Sequence, residues 1–353
     1  MLLFLSKTGL LSPKQFGFRQ KISTEDALLD FCSFIQKSLD NKFICGSLFV
    51  DITKAFDMVD HAILLNKLYS AGFRGTIFEW FASYLKNRTQ RVRIGNTLSS
   101  PLIIKFGVPQ GSVLGPVLFL IYINSIFSLD LKGRVTAFAD DLGISYSQKT
   151  TFDLVCDINC DIALLRKWFA KHKLIISSKT KLMFYNRNEQ NCDPEFFYHD
   201  PCCQRFKISS NGNFKYYCDI ACNANCFMIE IVRQFKYLGV IVDSKLNWQE
   251  QTLSLKSYLR SVSRKFFNLS KICTPAVLKM FYFGLFQSKL SYGLSCWGGS
   301  YQNKIKPILS IQKSVIRRLC NVHRLAHSFE LFKLHKILPV RHLYYFKVLK
   351  LFF

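Results

Sequence analysis

The chain has 353 residues, 49% of them apolar. That is enough for two or three sub-domains around a sizeable core, and too apolar for an intrinsically disordered protein. Lys and Arg number 48 against 23 Asp and Glu, and the formal charge of +25 suits a polyanionic partner, nucleic acid or an anionic surface. The thirteen cysteines lack compact extracellular spacing, which makes reduced intracellular thiols the default, and no apolar run approaches the length of a membrane-spanning helix.

The excess charge is uneven. Residues 1–186 carry +9, residues 187–233 carry −1 and residues 234–353 carry +17. The last third interleaves its cations with aromatics, as in Arg264-Lys-Phe-Phe267 and Tyr344-Tyr-Phe-Lys347. Such a surface suits gripping a duplex; the plainer alternative is a solvated basic face over a Phe-rich core. Met1-Leu-Leu-Phe-Leu5 is short and lacks a basic flank, so it reads as the end of a helix and not a signal peptide. Both ends of the chain read as cut.

In chain order, residues 11–19 form a loop before a helix capped by Ser23 or Thr24, with Ala27, Leu28, Phe31 and Ile35 along one face. Residues 44–52 form an apolar strand that delivers Asp51 at its carboxyl end, where α/β proteins place chemistry; a strand-end cap is the plainer reading. Asp57 reads as a helix N-cap. Residues 62–71 form a helix ended by Gly72, and residues 76–85 form another with Ile77, Trp80, Phe81 and Tyr84 on its buried face. Residues 91–94 alternate as a strand with its arginines on the open side.

Residues 106–116 form a dense Gly/Pro loop in which Gly107 and Gly111 permit close backbone approach to a ligand and Gln110 offers an amide. A mostly apolar helix follows over residues 114–127. Residues 136–146 read as two strands meeting at Asp140-Asp141. Two adjacent carboxylates ionise together comfortably only in water or around a cation, and alone they are most simply an exposed turn. Residues 151–170 form an amphipathic helix with Phe152, Val155, Ile158, Ile162, Leu165 and Trp168 towards the sheet; residues 174–185 return as a turn and strand with Lys179 at the start.

Residues 187–233 are rich in Asn, Asp and Cys. Cys218, Cys222 and Cys226 stand four apart; zinc sites more often use Cys-x2-Cys on a turn, so a surface insertion is preferred to a zinc site. Residues 235–243 read as a strand, and helices over 249–269, 275–290, 304–322 and the terminal stretch follow. Sheet first and basic helices last suggest an α+β catalytic body with a helical appendage.

If the strands carrying Asp51 and Asp140-Asp141 are neighbours in an antiparallel sheet, three carboxylates converge. Such a set without His or Cys favours hard cations, Mg²⁺ or Mn²⁺, and the chemistry of nucleotidyl transfer.

The series Gln15-Phe-Gly-Phe-Arg19 with Ser23-Thr24, Phe49-Val-Asp-Ile-Thr-Lys-Ala-Phe-Asp57, Gly107-Val-Pro-Gln-Gly-Ser-Val-Leu-Gly-Pro116, Phe138-Ala-Asp-Asp141 and Lys236-Tyr-Leu-Gly-Val240 resembles the reverse transcriptases of non-LTR retrotransposons, especially the jockey/CR1-like groups. The motifs fall in the family's order across nearly the whole chain. The resemblance implies a right-hand fold: partial fingers over 1–45, palm with interleaved fingers helices over 46–186, the Cys-rich insertion over 187–233, and the palm end with a basic helical thumb over 234–353. It implies RNA-directed DNA synthesis with Mg²⁺ or Mn²⁺ held by Asp51, Asp140, Asp141 and the carbonyl of Ile52. Phe56 would lie under the sugar, Gln110 and Gly111 along the templating base pair, Arg19 at the incoming triphosphate, and Lys179 where departing pyrophosphate is protonated.

The implied partners are an RNA template, a DNA primer or target and dNTPs, with no membrane. The implied place of action is the nucleus, with a cytoplasmic ribonucleoprotein as the alternative. The chain departs from the family at Leu174-Ile-Ile-Ser-Ser-Lys179, which lacks an Asn and is one residue short, and at Ile123-Asn-Ser125, where Ile-Asn-Asp is usual. The first fingers strands and the endonuclease domain are expected to be missing. Two rivals stay open: a catalytically impaired nucleic-acid-binding remnant, and a palm polymerase copying RNA into RNA, which Phe56 disfavours.

Overall fold

A computed structural model describes residues 1–185, 196–198 and 226–351. The chain divides into two compact units, Met1–Val232 and Arg233–Phe353.

The first unit opens with α1 (Leu2–Lys7) and α2 (Thr24–Asp40). Ser23 caps α2 reciprocally: its hydroxyl accepts from the Asp26 amide, and the Asp26 carboxylate accepts from the Ser23 amide at 2.7 Å. Ala27, Leu28, Phe31 and Ile35 form its buried face, as the periodicity requires. β1 (Ile44–Val50) follows and is buried almost throughout. Asp57 is not a cap; Asp60 caps α3 (His61–Ser70), accepting from the Ile63 amide at 2.9 Å.

α4 (Gly75–Leu85) buries Phe81 and Leu85, while Ile77 and Trp80 face solvent and Trp80 stacks on Tyr84 at 5.3 Å. The expected strand at 91–94 is instead part of an exposed arm of two-residue strands: β2 (Thr89–Gln90), β3 (Arg93–Ile94), β4 (Thr97–Leu98) and β5 (Leu102–Ile103). β3 pairs with β4 and β2 with β5.

α5 (Gly115–Ile123) is apolar all round and almost entirely buried; its last turn tightens into a 3₁₀ turn, Asn124–Ser128. β6 (Arg134–Phe138) and β7 (Asp141–Gln148) form the expected hairpin. α6 (Thr151–Lys171) buries Ile158, Ile162, Leu165 and Trp168 as expected, but Phe152 is exposed, and Asp161 is wholly buried. Asp161 accepts from the Lys132 and Gly133 amides at 2.9 and 3.0 Å, so this acid fixes the turn entering β6. β8 (Lys181–Tyr185), β9 (Phe196–Tyr198) and β10 (Phe227–Ile231) follow.

Among the described residues these strands form a six-stranded sheet ordered β6-β7-β1-β8-β10-β9, antiparallel except for the β8–β10 pair. The α+β class with an antiparallel core sheet holds. α2 covers one face through Phe31 against Phe49 (centroids 5.7 Å), and Ile158 of α6 lies over Gly46 on the other. The run of buried residues in β1 follows from burial on both sides.

The second unit begins with β11 (Gln234–Tyr237) and β12 (Val240–Asp243). The single strand expected at 235–243 is thus a hairpin that turns at Leu238-Gly239, both with positive φ (+44° and +81°). α7 (Gln249–Leu269) and α8 (Pro275–Phe281) follow. The expected helix at 275–290 is continuous, but its middle widens into a π-helical stretch, Tyr282–Gln287, before α9 (Ser288–Ser291).

The remaining helices are α10 (Leu294–Trp297), α11 (Gln302–Leu319), α12 (Phe329–Leu334) and α13 (Val340–Leu349). Buried Gln312 of α11 ties them together, donating to the Tyr282 hydroxyl and the Leu338 carbonyl and accepting from the Val340 amide. No described helix is long and apolar enough to cross a membrane. Cys192, Cys202, Cys203, Cys218 and Cys222 of the Cys-rich stretch lie outside the described residues.

Candidate active site

β1 and β7 pair antiparallel with Val50 opposite Leu142. One further step of that register sets Asp51 across from Asp141. β6 and β7 pair Phe138 with Asp141, so Ala139 and Asp140 form the turn between them, and Ala139 is left-handed (φ +57°). The structure therefore brings Asp51, Asp140 and Asp141 to one end of the sheet. Burial, and then the Asp51 carboxylate, hold Asp140 above the usual carboxylate range. Burial, and then repulsion from Asp140 and Asp51, push Asp141 up to about 6. Asp141 is nonetheless an exposed residue, so solvent weakens both the burial and the repulsion.

The backbone of Asp51 is gripped from the neighbouring loop. Its carbonyl accepts from the Ser177 amide at 2.8 Å, and its amide donates to Thr180 Oγ1 at 3.2 Å. Thr53 donates to the Ile175 carbonyl at 2.9 Å. These bonds flank Ile52, whose own carbonyl points by strand alternation to the opposite edge, towards β7. Lys179 stands on the same gripping loop and is exposed.

The Asp-Asp turn is gripped in its turn by the segment before α2. The Phe16 amide donates to the Ala137 carbonyl at 2.8 Å, and the Ala137 amide to the Lys14 carbonyl at 3.0 Å. Gln15, 1% exposed, accepts from the Ala139 amide at 2.8 Å and donates to the Ala139 carbonyl at 3.2 Å. Arg19 Nη1 donates to the Ser12 and Gln15 carbonyls, bracing the same loop. Gln15 carried no assigned role in the sequence. The neighbouring Gly17 is where the structure leaves no room for a side chain, since a Cβ there would fall 2.3 Å from the Ala139 nitrogen.

Phe56 stacks on Phe119 at 4.4 Å and is partly exposed. Its carbonyl accepts from the Val108 amide at 2.9 Å, and the Gly107 amide donates to the Val59 carbonyl at 2.8 Å, so the Gly/Pro loop lies directly on the segment after Asp51. A Cβ on Gly107 would meet the Asp57 carbonyl at 2.9 Å. Gln110, which is exposed, donates to Asp57 Oδ1 at 2.7 Å. Gly111 has φ +79° and open space around it. A cavity of about 590 Å³ runs along Asp57, Arg88, Gln90, Phe106, Val108 and Gln110.

Residues 1–242 match the family model described as reverse transcriptase (RNA-dependent DNA polymerase). The chain belongs to that family. It is 28% identical over 318 residues to the probable RNA-directed DNA polymerase from transposon X-element of Drosophila melanogaster, covering 88% of this chain and 32% of that protein. It is 24% identical over 322 residues to the RNA-directed DNA polymerase from mobile element jockey of Drosophila funebris, covering 86% and 31%. The chain thus spans about a third of the length of these relatives. Among solved structures, telomerase from Candida albicans overlays 96% of this chain and 58% of its own at a TM-score of 0.48 and 11% identity.

Reverse transcriptases depend on divalent metal. Among the described residues, no three or more His, Cys, Asp or Glu side chains are drawn together as a finished metal cage. The donor set at the sheet end nonetheless fits a hard cation: three carboxylates with no soft ligand, two of them held above their usual range by burial and by each other's charge, which a cation would relieve.

Proposed function

We propose that this chain is the polymerase portion of a non-LTR mobile element, extending a primer 3′-hydroxyl with dNTPs on an RNA template. The carrying observation is the meeting of Asp51 with the Asp140-Asp141 turn at one sheet end, with the Gly107–Gln110 loop laid on the segment that follows Asp51. On this reading Asp51, Asp140, Asp141 and the Ile52 carbonyl hold Mg²⁺ or Mn²⁺. When bound, the ions supply activation of the attacking hydroxyl and charge neutralisation at the leaving pyrophosphate.

The chain's own groups do the rest. Phe56, fixed by Phe119, sits under the sugar and leaves no room for a ribose 2′-hydroxyl. Gln110 and Gly111 line the templating base pair. Arg19 offers the triphosphate the N–H groups it does not spend on Ser12 and Gln15. Lys179, on the loop that grips Asp51, donates the proton to pyrophosphate. Residues 1–45, 46–186 and 234–353 take the parts of partial fingers, palm, and palm end with thumb, and the +17 of residues 234–353 serves the duplex backbone.

The test is primer extension on RNA and DNA templates with dNTPs and rNTPs, wild type against Asp140→Asn. Metal-dependent dNTP incorporation on RNA, abolished by the substitution while duplex binding persists, is expected. Equal extension by the variant sinks the assignment. Salt-sensitive RNA binding without incorporation leaves an impaired binding remnant, and preference for rNTPs leaves an RNA-copying polymerase.

A further inference from the structure

We propose that Gln15 is a positioning residue for the metal site: through Ala139 it sets how the Asp140 and Asp141 carboxylates meet a divalent cation. The inference rests on reading those acids as metal ligands.

The turn that presents the two acids depends on one left-handed alanine, a conformation that L-residues avoid unless their surroundings impose it. Both backbone groups of Ala139 end on one side chain: its N–H on Gln15 Oε1 and its carbonyl on Gln15 Nε2. Oε1 also accepts from the Gly17 amide at 2.8 Å, which fixes the amide plane and decides which end faces the N–H. The Gln15 backbone is itself registered against β6 by the Phe16–Ala137 and Ala137–Lys14 bonds. Gly17 presses on the Ala139 nitrogen so closely that not even a methyl group fits. The clamp has no slack, and the next two residues along the chain are the acids.

A side chain that only stabilised the fold would satisfy the core and leave ligand geometry alone. Gln15 instead bonds to the residue whose φ determines where Asp140 departs from β6. Groups that orient metal ligands without touching the metal typically change its affinity or the activity 10- to 100-fold when removed.

Mn²⁺ binding to the full chain, read by loss of the free-ion paramagnetic resonance signal, separates the two roles without requiring turnover. Gln15→Met keeps side-chain length and removes all three hydrogen bonds. The expected result is Mn²⁺ affinity lowered roughly 10-fold, faster amide exchange at Ala139, and a folded protein in EDTA melts. In primer extension the half-saturating Mg²⁺ rises by a similar factor while KM for primer–template is unchanged. Wild-type Mn²⁺ affinity in a folded Gln15→Met protein overturns the proposal.

If Gln15→Met does not fold, Gln15→Asn decides, because it keeps the amide but leaves it one methylene short of Ala139. Weakened Mn²⁺ binding is expected there too, and unchanged binding overturns the proposal. Asp140→Asn in the same titration isolates the underlying reading. If that variant binds Mn²⁺ as well as wild type, or wild type binds none, the metal reading itself fails and takes the positioning role with it. Loss of binding in Asp140→Asn with wild-type affinity in the Gln15 variant removes the positioning role alone.

Discussion

Gln110 Nε2 donates to Asp57 Oδ1 at 2.7 Å, joining the Gly/Pro loop before α5 to the segment that follows Asp51. Both side chains are exposed, so the bond adds little stability but fixes where the amide stands. Asp57→Ala is therefore expected to change unfolding free energy by about 0.5 kcal/mol or less. It should raise KM for dNTP several-fold through a wandering Gln110. Steady-state kinetics beside denaturant melts check this; unchanged KM separates Gln110 from the nucleotide.

Asp141 supplies a pH-dependent prediction. Its folded pKa of about 6 lies above the ordinary 3.8, so the folded chain binds that proton more tightly than the unfolded chain. The resulting penalty on folding is absent below the ordinary value, grows as pH rises through about 6, and is complete above it. In EDTA, Asp141→Asn should raise Tm at pH 7.5, with the gain shrinking as pH falls towards 4. Adding Mg²⁺ should stabilise wild type more at pH 7.5 than at pH 5 and leave the variant unmoved. A gain independent of pH contradicts the repulsion.

Asp51 closing an apolar strand and the Asp140-Asp141 pair between two strands are legible in the sequence, but each alone has a plainer structural reading, and it is their meeting across the β1–β7 register that sets them apart. Gln15 is not legible there because both of that side chain's bonds to Ala139 span 124 positions. For α4, periodicity places Ile77, Trp80, Phe81 and Tyr84 inward; Phe81 is buried and Tyr84 packs partly against the core, but Ile77 and Trp80 face solvent, because periodicity does not say which edge of a broad apolar stripe turns in. Leu85 takes the inner position instead, and the exposed Trp80 ring lies on the half-buried Tyr84. Asp57 reads as a helix N-cap from its neighbours alone, but Asp60 caps α3, and Asp57 instead accepts from Gln110 on a loop 53 residues away. Gly239 was a turn signal inside a run that otherwise read as one strand.

Phe56 has the stacking geometry of a fixed wall. Phe56→Ala should admit rNTPs, lowering dNTP over rNTP discrimination by about 10- to 100-fold. Single-nucleotide incorporation with paired dNTP and rNTP measures it, and undiminished discrimination places the sugar elsewhere.

Asp161 is a structural acid, and its removal should be felt in stability alone. Asp161→Ala removes the acceptor of the buried Gly133 amide and of the half-buried Lys132 amide, at a turn already packed against Ile144 and Tyr146. A loss of about 2–4 kcal/mol is expected in urea unfolding. A loss under about 1 kcal/mol would show the turn to be held by other means.

The arm from Thr89 to Ile103 has a consequence for handling the protein. Ile94, Leu102 and Ile103 are each more than two-thirds exposed on ladders only two residues long, which leaves short unpaired edges beside apolar surface. Arg91 and Arg93 interrupt that surface and set copies of the chain repelling one another. Concentrated salt shrinks the reach of this repulsion to about 3 Å at 1 M while strengthening apolar adhesion. Buffers chosen to strip nucleic acid from so basic a chain will therefore favour its precipitation. An acidic residue in place of Leu98 or Leu102 is the substitution to try first for a tractable sample.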